Sequence, residues 1–110
     1  MKHEITEKEG ALIVAFEGDI DLQSSPEARG VLLDAVGKGQ SVLVDLSGVG
    51  YIDSSGVASL VESFQAARKA GHDLILVAVS DGALRVLQLA RLDKVFTIRD
   101  TIDDGIAALG

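Results

Sequence analysis

The sequence predicts an α/β fold whose mixed β-sheet opens on an antiparallel hairpin. Three observations carry this. Two strand-like runs lie within the first 18 residues, separated by Glu9-Gly10, and strands so close in sequence pair antiparallel. Beyond residue 40, apolar runs of strand length alternate with segments patterned at helical spacing, as in strand–helix–strand crossovers. The runs SVLVDL (41–46) and DLILVAV (73–79) are almost continuously apolar, as expected of strands covered on much of both faces.

Taken in order, residues 2–8 and 11–18 form the hairpin. The polar stretch GDIDLQS (18–24) leads to Ser25-Pro26-Glu27, a helix start with Ser25 as N-cap and Pro26 at the first helical position. Ala28, Val31, Leu32, Ala35 and Val36 recur at helical spacing, and Gly37 and Gly39 end that helix. After the strand at 41–46, Val57, Leu60, Val61, Phe64 and Arg68 mark a second helical stripe, closed by Gly71. A strand at 73–79 follows, then a third helix at 81–92, a short strand at 94–98 and a terminal helix at 101–109 weakened by Gly105. The crossovers should be right-handed. Leu84, Val86, Leu87, Leu89 and Leu92 exceed a single stripe. The third helix is therefore either packed in a crowded layer or carries an apolar contact patch.

With 110 residues, 47% hydrophobic and 25% charged, the chain is expected to be one domain, 1–110, with a core that needs no metal or disulfide. There is no cysteine, which removes disulfides, zinc–thiolate sites and a cysteine nucleophile. The start MKHEITEKEG has no apolar signal core, and no apolar run approaches the roughly 20 residues that span a bilayer. A cytoplasmic protein without direct membrane insertion is the expectation. The net charge of −7 argues against nucleic acid, whose binders neutralise phosphates with basic residues. A protein partner fits better. With no coiled-coil heptad and no long apolar edge, a monomer is expected.

Enzyme signatures are missing. There is neither G-x-S-x-G nor a P-loop. The two histidines, His3 near a chain end and His72 just past a helix, do not suggest a catalytic triad. Asp19 and Asp21 in GDID lack a third metal ligand, so no metal is expected. Asp45 could be a receiver-type phosphoacceptor with Lys94, but such a site needs an acidic pair after an early parallel strand, where this sequence has a hairpin.

The stretch that combines a strand end with a helix start is Ile52-Asp53-Ser54-Ser55-Gly56. Ser54 is placed to be the N-cap of the second helix. It could be a cap and nothing more, or a serine presented for phosphorylation, because helix N-termini accommodate phosphate.

The segment VLVDLSGVGYIDSSGVASLV (42–61), together with FEGDIDLQSSPEAR upstream, resembles the signature of STAS domains, in particular anti-sigma-factor antagonists. The likeness covers essentially the whole chain. Ala90-Arg91-Leu92 departs from the small residue and Gly that many relatives carry there, which puts the surface near the third helix in doubt. The resemblance implies a mixed sheet with helices mainly on one face, and no enzymatic activity or cofactor. It implies binding to an anti-sigma factor that is also a serine kinase of the histidine-kinase-like ATPase fold. That kinase would phosphorylate Ser54 and so end the interaction, and a metal-dependent serine phosphatase would restore it. Asp53, Ser55 and Gly56 would shape the site, with Asp19 and Asp21 in the neighbouring loop. An alternative within the same family is a subunit that binds the permease of a bacterial phospholipid-transport ABC system.

Overall fold

A computed structural model of the chain describes residues 1–109. Strands β1 (Lys2–Lys8) and β2 (Ala11–Glu17) pair antiparallel, with Lys8 opposite Ala11. Glu9 and Gly10 between them have φ of 51° and 82°. Two consecutive positive φ values define a type I′ turn, whose twist matches that of the flanking strands. Strands β3 (Val42–Gly48), β4 (Leu74–Val77) and β5 (Thr97–Arg99) then add in parallel, giving the order β1-β2-β3-β4-β5. The sheet is mixed, as its hairpin start predicts.

The helices divide unequally between the faces. Helices α1 (Ser25–Val36), α2 (Ser54–Lys69) and α3 (Asp81–Leu89) cover one face. There Leu12, Val14, Val42, Val44, Leu46, Leu74 and Leu76 meet Leu32, Leu60 and Leu87. The short helix α4 (Ile102–Ala107) lies on the other face, where Ile102 and Ile106 pack on Ile13, Leu43, Ile75 and Val77. Strands β3 and β4 are thus covered on both sides, which explains their continuous apolar sequence. Every residue of β1 is exposed, so β1 is a charged outer edge of the kind that discourages unwanted strand pairing.

Several boundaries differ from expectation. Ser24 occupies the N-cap position of α1, without a side-chain cap hydrogen bond, and Ser25 is already helical and buried. An Asp21 turn starts the helix one residue early: its Oδ1 accepts the N–H groups of Gln23 (3.0 Å) and Ser24 (3.1 Å), and the Ser25 N–H donates to the Asp21 carbonyl. Helix α3 stops at Leu89 and not at residue 92, because Arg91 is left-handed (φ 60°) and Leu92–Lys94 form a 3-10 turn. The last strand consequently begins at Thr97. Phe96 turns into the main core, edge-on to Phe64 with ring centroids 5.1 Å apart. Of the apolar residues on α3, Leu87 is buried, Leu84 and Val86 are half-buried, and Leu89 is 80% exposed. Gly105 is a contact point: a Cβ there would lie 2.5 Å from Val77 Cγ1 and 2.8 Å from Leu43 Cδ2. It lets α4 approach the sheet at the expense of helix propensity.

Candidate functional site

The site lies where the segments after β2 and β3 run side by side. The Ile20 N–H donates to the Tyr51 carbonyl (3.0 Å), and the Asp53 N–H donates to the Ile20 carbonyl (3.1 Å), a parallel bridge between Ile20 and Ile52. Both isoleucines are buried. Their apolar side chains anchor two otherwise polar loops, and this joins Asp19 and Asp21 to the Asp53–Gly56 turn. The Asp19 carboxylate lies beside Gly50, where a Cβ would be 3.6 Å from Oδ1.

Asp53, and not Ser54, is the N-cap of α2. Its backbone is extended (φ −97°, ψ −175°), and its Oδ1 accepts from the Ser55 N–H (2.9 Å) and the Gly56 N–H (3.1 Å). The bridge to Ile20 keeps the chain extended through Asp53, so the helix can begin only at Ser54. Asp is as good a cap as Ser, and its carboxylate complements the positive end of the helix dipole. The Ser55 hydroxyl also donates to Asp53 Oδ1 (2.5 Å). That hydrogen bond, with those from the amides of Gly56, Ser55 and Leu22, holds the Asp53 carboxyl below the usual carboxylate range against partial desolvation.

The two serines therefore differ. Ser55 is half-buried and bonded to Asp53. Ser54, the first residue of α2, is exposed, and its hydroxyl makes no hydrogen bond to any described residue. Gly56 is buried against the bridge: a Cβ would lie 2.6 Å from Ile52 Cγ1 and 2.8 Å from the Ile20 carbonyl oxygen. Only glycine fits there without displacement.

Asp21 orders its own loop. The Ser24 amide is the main cause of its lowered pKa, with help from the Ser24 hydroxyl and the Gln23 amide, while the charge of Asp53 opposes the shift. The two carboxylates are near enough to feel each other. Among the described residues no group of three His, Asp or Glu is placed to hold a metal ion. Asp45 lies in the middle of β3, where it accepts the Ser47 N–H (2.9 Å). Lys94 is exposed in the 3-10 turn, and the first strand pairs antiparallel, so the receiver arrangement is not formed. No helix among the described residues is long and apolar enough to cross a membrane.

Sequence reasoning overlooked Leu22 and Tyr51, which are 75% and 51% exposed. It also overlooked Ser80, which caps α3 by accepting the Ala83 N–H (3.2 Å) and donates to the Val49 carbonyl, so that α3 is fastened to the loop before the site. A serine just before a helical stripe was the available signal for that cap; its Val49 partner is remote in sequence.

The STAS domain model matches residues 2–105. The chain is 26% identical over 103 residues to the anti-sigma-B factor antagonist of Bacillus subtilis, covering 94% of each. An anti-sigma factor antagonist from Mycobacterium paratuberculosis superposes with a TM-score of 0.90 at 25% identity, over 98% of this chain and 92% of that one. The antagonist SpoIIAA in its unphosphorylated form superposes with a TM-score of 0.78 at 16% identity, over 96% and 93%. A structure of SpoIIAA in the phosphorylated form also matches. With the bridged loops, the mixed sheet and a family match over nearly its whole length, the chain belongs to the STAS domain family.

Proposed function

We propose that this chain is an anti-sigma-factor antagonist of a partner-switching system, acting as one STAS domain over residues 1–110. It works by binding, without catalysis or a cofactor of its own. Unphosphorylated, it binds an anti-sigma factor that is also a serine kinase of the histidine-kinase-like ATPase fold, and so releases that factor's target. The observation that carries this reading is the contrast between the two serines: Ser54 is exposed at the start of α2 and its hydroxyl bonds to none of the described residues, while Ser55 is tied to Asp53. Relatives named as antagonists support the partner.

In the switching step the Ser54 Oγ attacks the γ-phosphorus of Mg-ATP held by the kinase. An O–P bond forms, the bond to ADP breaks, and the serine proton passes to a base of the kinase. The product gains about −1.5 to −2 charges at that position. Asp53 already occupies the Ser55 and Gly56 amides, so the phosphate remains hydrated on the surface and the fold is retained. Its charge and bulk end binding. A metal-dependent serine phosphatase reverses the step. We place the protein in the cytoplasm as a monomer, without nucleic acid.

Each histidine-kinase-like serine kinase of the source genome, purified and mixed with this chain and Mg-ATP, tests the reading. One of them should label Ser54, and Ser54→Ala should abolish the label. Label on Ser55, or none with any kinase, overturns it. A second reading, a subunit bound to the permease of a phospholipid-transport ABC system, is favoured by one observation, the exposure of Leu89 on α3. Co-purification with a permease and transport ATPase, with no kinase, would select it.

A further inference from the structure

Leu22 and Tyr51 project from the two bridged segments on backbones that are already fixed. The Tyr51 carbonyl accepts the Ile20 N–H, and Leu22 sits inside the turn in which Asp21 Oδ1 accepts the Gln23 and Ser24 N–H groups. Beside the buried Ile52, Tyr51 is turned outward by strand alternation. Leu22 is turned outward by the Asp21 turn. Leu22 and Ser54 each stand two residues beyond the Ile20–Ile52 bridge. Isolated exposed apolar residues are ordinary. These two differ in flanking the Ile20–Ile52 bridge from which α2 and Ser54 start, on backbone whose ordering cost is already met by folding.

The side-chain charges on the two bridged segments are acidic. Asp19, Asp21 and Asp53 stand in the same two segments, and the open groove beside Leu22 is lined by Met1, Asp19, Asp21, Gln23, Ser24 and Glu27, with no lysine or arginine side chain among them. Apolar side chains inside an acidic rim match a surface with an apolar recess bordered by basic side chains.

We propose that Leu22 and Tyr51 are the anchors through which the kinase partner docks, each seated in an apolar recess bordered by Arg or Lys. The proposal rests on the reading of Ser54 as the kinase substrate. It also accounts for the switch when the partner is basic: a hydrated dianion beside the anchors must be dried along with them, which opposes docking even where long-range attraction is favourable.

The test uses the kinase that labels Ser54, loaded with ADP, in calorimetric titration against the full chain. Leu22→Ala and Tyr51→Ala should each weaken binding about tenfold, and the pair about a hundredfold. Tyr51→Phe should stay within about threefold, and Leu89→Ala, at the far end of α3, should bind as wild type. Both anchors are exposed, so melting temperatures should be unchanged. In the labelling reaction KM should rise with kcat constant. The association rate should fall steeply with added salt. If Leu22→Ala and Tyr51→Ala bind as wild type while Ser54 is labelled, the anchors are wrong and the proposed function stands. An association rate indifferent to salt refutes the basic border. If no kinase binds or labels the wild type, both fall together.

Discussion

The Ser55 hydroxyl lies 2.5 Å from Asp53 Oδ1, within the hydrogen-bonded start of α2, while the adjacent Ser54 is exposed and its hydroxyl bonds to none of the described residues. Adjacent and chemically identical side chains therefore carry different loads. Ser54→Ala should leave the melting temperature unchanged. Ser55→Ala should lower it by about 3 °C, because Asp53 loses one of its donors. Differential scanning calorimetry of the two variants checks this without any partner. Equal effects would remove the distinction on which the assignment of Ser54 depends.

Gly56→Ala should destabilise the protein by about 1–3 kcal/mol, since its Cβ would press on Ile52 and the Ile20 carbonyl. The strain falls on the bridge itself. Amide exchange at Ile20 and Asp53 should therefore accelerate more than exchange in the middle of β3.

Acid should act through Asp21 and Asp53. Both carboxyls are held below the ordinary aspartate range by the hydrogen bonds they accept, so the native state binds fewer protons than the unfolded chain in that range. The stability they contribute is fully present above about pH 5 and is lost as pH falls through their folded values. Urea midpoints should be flat with respect to these groups from pH 5 to 7 and should decline below about pH 4. Asp53→Asn should make the decline shallower, as one of the two titrating groups is gone.

Glu9 adopts φ 51° ahead of Gly10 in the β1–β2 turn, a conformation that favours Asn over Glu. Glu9→Asn should stabilise the fold by roughly 0.5–1 kcal/mol, measured as a shifted urea midpoint with an unchanged slope. A destabilised variant would mean that the turn is not type I′ in solution.

The hairpin, the two buried strands at 41–46 and 73–79 and the pairing of GDID with DSSG were legible because each rests on local pattern or on a motif. What was not legible depends on contacts distant in sequence. Ser54 and Asp53 are both good caps, and the choice is made by Ile20, which keeps the chain extended through Asp53. Ser25 lost the cap of α1 to Ser24 because the Asp21 side chain turns the chain early. Gly105 looks like a flaw in a helix until Leu43 and Val77 are beside it. Ser59 and Ser63 are buried in α2, with hydroxyls donating to the carbonyls of Ser55 (3.1 Å) and Ser59 (2.8 Å). Such back-bonding hides a polar residue inside a helix–helix contact, which an apolar stripe does not reveal.

The occupied amides at the start of α2 bear on how long a signal would last. A phosphate on Ser54 would find the Ser55 and Gly56 amides already engaged by Asp53 and would stand on an exposed residue. Its exposure would leave the ester open to a hydrolytic enzyme. The persistence of the mark would then be set from outside, by the relative amounts of the enzymes that write and erase it, and the domain would keep no memory of its own.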